Sequence, residues 1–259
     1  MRILLTNDDG INAPGLRVME EIAAELTGPE NIWVVAPALE QSGVGHAISY
    51  TRPLMMAEHG ERRFAVEGSP ADCVIAGIHE AMDERPDLIL SGVNRGNNSA
   101  ENTLYSGTLG AAIEGALQGV PSIGLSQYYG PANAREKDPF EASRRHGAAT
   151  VQRILKAGFD EGADYGFFYN VNFPPVPASD VKGMRVVRQG LRKGTRFGAE
   201  SSVAPNGRTF LWIKGGNQHV PTAEGTDAAV NLDGYISITP MRADLTAHES
   251  LEAVNEAFD

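Results

Sequence analysis

Two adjacent carboxylates, Asp8 and Asp9, follow directly on the apolar run of residues 2–6 (RILLT). Neighbouring acids at the end of a buried strand repel each other unless a cation sits between them. Carboxylate, hydroxyl and amide oxygens suit Mg²⁺ or Mn²⁺, which prefer oxygen ligands and retain several waters. Such a site leaves positions open for a substrate phosphate. The pair also suits an ordinary turn or helix cap, where Asp is common. Convergence favours the metal. A second apolar run leads through Pro37 to Ser42 and Gly43, and a third (DLILSGVN) ends at Asn94. Three segments thus bring Asp8, Asp9, Ser42 and Asn94 to one edge, and open parallel sheets bind ligands beyond the carboxyl ends of their strands.

A second group is Tyr105-Ser106-Gly107-Thr108, which opens the small-residue stretch LGAAIEGAL. Ser or Thr at a helix start is an N-cap. The same geometry offers free N–H groups and a positive dipole end to an anion, and glycine lets backbone approach a phosphate closely. Capping and phosphate binding fit the local sequence equally; the position beyond the loop NRGNNSAENT favours phosphate. In that loop Asn94, Asn97, Asn98 and Asn102 suit turns, and Asn98 is the one expected to face a phosphate.

Other groups carry less. No histidine pair has metal-binding spacing and there is no Cys/His cluster, which argues against structural zinc. His46 reads as a solvated loop residue, and Cys73, among Val74, Ala76 and Gly77, as a small buried hydrophobe. The stretch GLRKGT at 190–195 lacks the spacing and the strand-to-helix context of a phosphate loop. Neither a G-x-S-x-G elbow nor a dinucleotide fingerprint occurs.

The elements that must hold these groups alternate. Strands are predicted at 2–6, 32–36, 87–90 and 122–125. Helices are predicted at 14–26, at 69–82 with Ser69 as N-cap and Pro70 at the first position, at 108–118 and at 140–157. Strands at 48–56 and 63–66 interrupt the rhythm, and 91–108 reads as a long polar loop. Strand, crossover helix, strand, repeated, gives a mostly parallel α/β sheet flanked by helices. The second half adds a strand at Phe167–Phe173, a β-hairpin region at 183–214, a strand at 234–240 and an amphipathic terminal helix at 247–258. One domain is expected over 1–259: a core of about 1–182 plus 215–240, the hairpin region, and a C-terminal extension at 241–259.

The chain has 259 residues, 42% of them hydrophobic, enough for a large core. Its net charge of −11 excludes a general electrostatic footprint for long nucleic acid or anionic membrane. An anionic substrate must be met by a local device. One cysteine permits no intrachain disulfide, and no stretch approaches the ~20 apolar residues of a membrane helix. A cytoplasmic location is expected.

Several stretches resemble the SurE family of stationary-phase survival proteins: ILLTNDDGINAPG at 3–15, VVAPALEQSG at 34–43, GSPADCV at 68–74, LSGVNRGNN at 90–98, LYSGTLGAAIEG at 104–115, YNVNFP at 169–174 and GYISITP at 234–240. The resemblance runs in order across nearly the whole chain. It implies a Rossmann-like core and hydrolysis of nucleoside 5′- and 3′-monophosphates. It implies one divalent cation per subunit on Asp8, Asp9, Ser42 and Asn94, and phosphate binding by Ser106, Gly107 and Thr108 with Asn98 nearby. It also implies a homodimer or homotetramer built through the hairpin and the C-terminal segment. Two departures stand out. Where the family loop has Gly and an acidic pair, this chain has Ala100, Glu101 and Asn102, and Ser69 replaces the more usual Thr.

The expected chemistry is in-line attack of a metal-activated water on the phosphoryl group, with the α-helix start at 106–108 stabilising its oxygens and Asp8 or Asp9 as a further candidate base. Two rivals remain open at this point: a phosphatase passing through a phospho-aspartyl intermediate, and a nucleotide-binding regulatory module without turnover. The first usually wants Asp-x-Asp; the second has no need for concentrated negative charge facing a phosphate.

Overall fold

The computed structural model describes residues 1–159 and 165–258. Its strands are β1 (Ile3–Thr6), β2 (Ile32–Pro37), β3 (Met56–Gly60), β4 (Arg63–Val66), β5 (Leu88–Arg95), β6 (Ser122–Gln127), β7 (Phe167–Phe173), β8 (Met184–Val186), β9 (Gly198–Val203), β10 (Thr209–Lys214) and β11 (Ile236–Arg242). Its α-helices are α1 (Pro14–Ala24), α2 (Pro70–Ala76), α3 (Gly107–Leu117), α4 (Glu141–Ala157), α5 (Asp227–Leu232) and α6 (Leu251–Asn255). Among the described residues nine strands form one sheet in the order β3-β4-β2-β1-β5-β6-β7-β11-β8, while β9 and β10 pair apart from it. The run from β4 to β7 is parallel; β3 and β11 join it antiparallel. The mostly parallel, helix-flanked sheet predicted from the alternation is therefore present.

Alternation along β1 builds the two layers. Ile3 and Leu5 pack with Leu16, Met19 and Ile22 of α1 and Val151 and Ile154 of α4. Leu4 faces the other way, onto Cys73 and Val74 of α2 and Ala111 of α3. A parallel strand covered on both faces needs such an unbroken apolar run, and Ile3, Leu4 and Leu5 are all 0% exposed. Helix α2 starts as predicted. The Ser69 hydroxyl accepts from the Asp72 N–H at 3.0 Å and Asp72 accepts from the Ser69 N–H at 2.8 Å, a capping box with Pro70 at the first position.

Several predicted boundaries are corrected. Residues 48–55 are not a strand; β3 begins at Met56. The polar stretch after Leu90 is not wholly loop, because β5 continues to Arg95, with a register shift between Ser91 and Asn94 and a cis Gly92–Val93 peptide. In the expected hairpin region, β8 belongs to the main sheet beside β11, so only β9 and β10 stand apart. The last helix is short: a 3₁₀ turn at His248–Ser250 and then α6, all exposed. Asp259, the end of the expected C-terminal extension, lies outside the described residues. Among the described residues no helix is long and apolar enough to cross a membrane.

Candidate functional site

The turn after β1 is folded by its own side chains. Asn7 is buried; its amide donates to the Gly10 carbonyl at 2.9 Å, and its Oδ1 accepts from the Gly10 N–H at 3.2 Å. Gly10 has φ +99°, a conformation open to glycine at little cost. The bracket holds Asp8 and Asp9 at the carboxyl end of β1. The Gln41 N–H donates to the Asp8 carbonyl at 2.7 Å, tying the loop after β2 to the same point.

Asp8 is 4% exposed, and its Oδ1 accepts the Thr108 hydroxyl at 2.6 Å. Burial pushes its carboxyl up to about 6; the Thr108 bond opposes the rise and the Asp9 charge adds to it. The start of α3 lies directly against this residue. A Cβ on Gly107 would stand 2.9 Å from Asp8 Cβ, so only glycine lets the helix come this close. Asp9 is less buried. Its Oδ2 accepts the Arg95 N–H at 3.1 Å, and burial raises its carboxyl, with Arg95 lowering it and Glu40 raising it. Asp9 also lines a cavity of about 630 Å³ with Arg95, Tyr129 and Lys137.

The remaining expected residues fall into two sets. Asn94 stands at the end of β5, its amide donating to the Gly96 carbonyl at 3.0 Å. Ser106 caps α3, its Oγ accepting from the Leu109 N–H at 3.1 Å. These join Asp8, Asp9, Gly107 and Thr108 at one sheet edge. Ser42 and Asn98 are engaged elsewhere. Ser42 is exposed and its hydroxyl donates to Glu40 Oε1 at 2.7 Å. Asn98 is buried; its N–H donates to Asn172 and its amide to Ser126 at 2.8 Å, which commits one of the amide's two N–H groups to fastening the loop onto β6 and β7.

His46 is not simply solvated. Its Nε2 is 2.8 Å from Glu114 Oε2 on α3, and this contact holds the Glu114 carboxyl below its usual range. Cys73 is fully buried, and burial pushes its thiol well up, so it is no nucleophile. The sequence reading missed Glu40, whose charge acts on Asp9; an acid two residues before Ser42 was the available signal. It also missed Arg192 and Asp227, both buried. Nothing in GLRKGT distinguishes Arg192 from a surface arginine. Among the described residues no cluster of three His, Cys, Asp or Glu side chains has metal-binding spacing, so any cation here leans on hydroxyl, amide and water oxygens beyond the two aspartates.

The edge built by Asp8, Asp9 and the start of α3 lies within residues 3–196, the stretch that matches the family described as Survival protein SurE. The chain belongs to the SurE family. Two bacterial relatives, both called 5′-nucleotidase SurE, support the same assignment. The protein of Ruegeria pomeroyi is 65% identical over 98% of both chains, and that of Jannaschia sp. is 63% identical over 100% of both. The crystal structure of the SurE protein from Aquifex aeolicus matches with a TM-score of 0.82 at 36% identity, covering 100% of each chain. SurE membership agrees with the sequence resemblance and with the nine-stranded sheet and separate hairpin.

Proposed function

We propose that the chain is a divalent-metal-dependent 5′/3′-nucleotidase, which converts nucleoside monophosphates to nucleoside and phosphate. The observation that carries this reading is the 2.6 Å bond between Thr108 and Asp8. It joins the residues that would hold a cation to the helix start that would hold a phosphate. The two relatives named 5′-nucleotidase support the substrate class.

The donor set fits Mg²⁺ or Mn²⁺. Every candidate ligand is an oxygen, and Asp8, raised to about 6 by burial and by Asp9, is a carboxylate that positive charge would relieve. Asp8, Asp9 and Asn94 would hold one ion per subunit, and Ser42 would join them by turning from Glu40. Bound there, the ion supplies a water of lowered pKa and positive charge for the phosphoryl oxygens. The chain's own groups do the rest. The N–H groups at the start of α3, together with Ser106 and Thr108, orient the phosphate, and the free N–H of Asn98 borders the same loop. Asp9, less buried than Asp8, is the acid more open to solvent and to an attacking water.

The reading extends to self-association and location. We propose a homodimer or homotetramer formed through β9 and β10, whose residues are all exposed, and the exposed segment around α6. A cytoplasmic location fits a lone buried thiol.

The test is phosphate release from nucleoside 5′- and 3′-monophosphates and p-nitrophenyl phosphate, with Mg²⁺, Mn²⁺ or EDTA. Release with either metal and loss in EDTA is expected. Turnover that persists in EDTA would refute the metal; absence of release from every nucleotide would refute the nucleotidase.

A further inference from the structure

Arg192 is the largest fully buried side chain of the described residues, and its guanidinium is 0% exposed. Burying this charge is costly unless every N–H finds a partner. Arg192 finds them in one place. Its Nη1 donates to the Ser99 carbonyl at 3.0 Å and to Glu101 Oε1 at 3.3 Å. Its Nη2 donates to Asn97 Oδ1 at 2.8 Å and to Ser99 Oγ at 2.9 Å, and its Nε to the Gln218 carbonyl at 2.9 Å. Four of these five bonds hold residues 97–101. Asp227, also fully buried, grips the same loop from α5: its Oδ2 accepts the Ala100 N–H at 2.9 Å while its Oδ1 accepts the Gly190 N–H at 2.8 Å. Gln189 donates to the Ala100 carbonyl at 2.8 Å. Between these partners Ala100 sits at φ +55°, a left-handed conformation that alanine does not choose by itself.

The loop so held is the span between the two halves of the candidate site. Before it come Asn94 and Arg95, whose N–H binds Asp9; after it come Ser106, Gly107 and Thr108, the last bonded to Asp8. A shift of residues 97–101 would move both ends. We propose that Arg192 and Asp227 are positioning residues for phosphate hydrolysis: they clamp residues 97–101 onto the segment that carries the hairpin, and the clamp sets the distance between the Asp9 side and the phosphate side of the site. This rests on the nucleotidase reading above. A buried ion pair is weak grounds for stability; a guanidinium with four of its five hydrogen bonds spent on one loop fixes where that loop lies.

The test compares Arg192→Lys, Asp227→Asn and Ser99→Ala with wild type. Steady-state kinetics use p-nitrophenyl phosphate and a nucleoside 5′-monophosphate, and amide hydrogen exchange is read at 97–106. Lysine keeps the charge but not the five-donor fork. Displacing catalytic groups by about 1 Å costs up to roughly 100-fold in rate. We expect kcat to fall about 10- to 100-fold in Arg192→Lys on both substrates, with KM changed less than about threefold, and exchange to quicken at 97–106 more than in β1. Ser99→Ala, which removes one acceptor, should lose less. Guanidinium ion at low millimolar concentration should restore part of the activity of Arg192→Ala, whereas a merely destabilised protein would only worsen. Arg62→Ala, at the far sheet edge, is the control and should be unchanged. Wild-type kcat in folded Arg192→Lys and Ser99→Ala, or a fall in kcat without faster exchange at 97–106, overturns the proposal. If the Arg192 variants do not fold, Ser99→Ala and Asp227→Asn decide it by the same criteria. A wild-type protein that releases no phosphate would refute the nucleotidase reading instead, and exchange at 97–106 would still report whether the clamp holds the loop.

Discussion

The turn after β1 and the β9–β10 hairpin place opposite kinds of group in the wrong solvent. At the turn, Asp8 is a carboxylate taken out of water, its pKa pushed up to about 6. On the hairpin, Phe210, Leu211, Trp212 and Ile213 are apolar side chains left in water, each more than half exposed. The central strands β1 and β5 obey the usual rule: Ile3, Leu4, Leu5, Leu88, Ile89 and Leu90 are all 0% exposed. Under the proposed function each exception would be relieved by a partner, a cation at the turn and the apolar surface of a second copy at the hairpin. A two-stranded hairpin is marginal by itself in water, and two acids at a buried strand end are destabilising by themselves. Their placement is what makes the proposed cation and the proposed self-association testable.

The sharpest way to break this comparison is to neutralise one acid. Asp9→Asn should lower kcat at least about 100-fold, nearly 3 kcal/mol of transition-state stabilisation. The same variant, melted in EDTA, should be as stable as wild type or more so, because the repulsion on Asp8 is gone. Near-normal turnover in the folded variant would remove Asp9 from the site. A fall in melting temperature in EDTA would mean that the acid pair is structural.

The pH dependence tests Asp8 separately. Its folded pKa lies above the unfolded value, so between about pH 4 and 6 the folded state keeps a proton that the unfolded state releases. Stability from this residue is therefore present at low pH and lost as pH rises through that window, by about 3 kcal/mol in all. In EDTA, the stability advantage of Asp8→Asn over wild type should grow from pH 4 to pH 7 by most of that amount, about 2.4 kcal/mol, read from urea unfolding. Excess Mn²⁺ should reduce the gap at pH 7. A gap that does not change with pH would show that Asp8 titrates normally.

The two regions were not equally legible in the sequence. Asp8 and Asp9 could be placed because β1 is a clean apolar run and the acids follow it, and the α2 start because Ser69, Pro70 and Asp72 carry their own instructions. The continuation of β5 through Ser91, Gly92 and Asn94 was read as loop, since these residues favour turns; only the neighbouring strands β1 and β6 make them strand. Helix α5, six residues long, is too short to show a period. The terminal segment has helical spacing, but nothing within the described residues packs on it, so only α6 forms. The Arg192 clamp was invisible because its partners are mostly backbone carbonyls and side chains more than 90 residues away, and sequence carries no trace of such pairing.

A smaller effect sharpens the other side of the comparison. Phe210→Ser with Trp212→Ser removes two aromatic faces that are 53% and 65% exposed. If a second copy covers them, the loss is at least about 2 kcal/mol per dimer, or some 30-fold in association constant. Sedimentation should show dissociation to smaller species at a given concentration, with the melting of the core little changed. An unchanged assembly would show that the hairpin is not the interface.

The smallest expected effect concerns Ala100, at the joint between the two regions. Three contributions compete in Ala100→Gly. Relief of the left-handed conformation stabilises by about 1–2 kcal/mol. Greater freedom of the unfolded glycine costs about 0.5–1 kcal/mol, and loss of a fully buried methyl costs about 0.8 kcal/mol more. The sum lies near zero, so the variant should unfold within about 1 kcal/mol of wild type. Ala100→Val has no such compensation, because a β-branched side chain at φ +55° is strained further and has no free space to enter. Paired urea titrations decide between two accounts of the loop. A near-neutral glycine and a costly valine mean that hydrogen bonds from Asp227 and Gln189 impose the backbone. A glycine variant that loses more than about 2 kcal/mol means that methyl packing holds the loop, and the polar clamp is secondary.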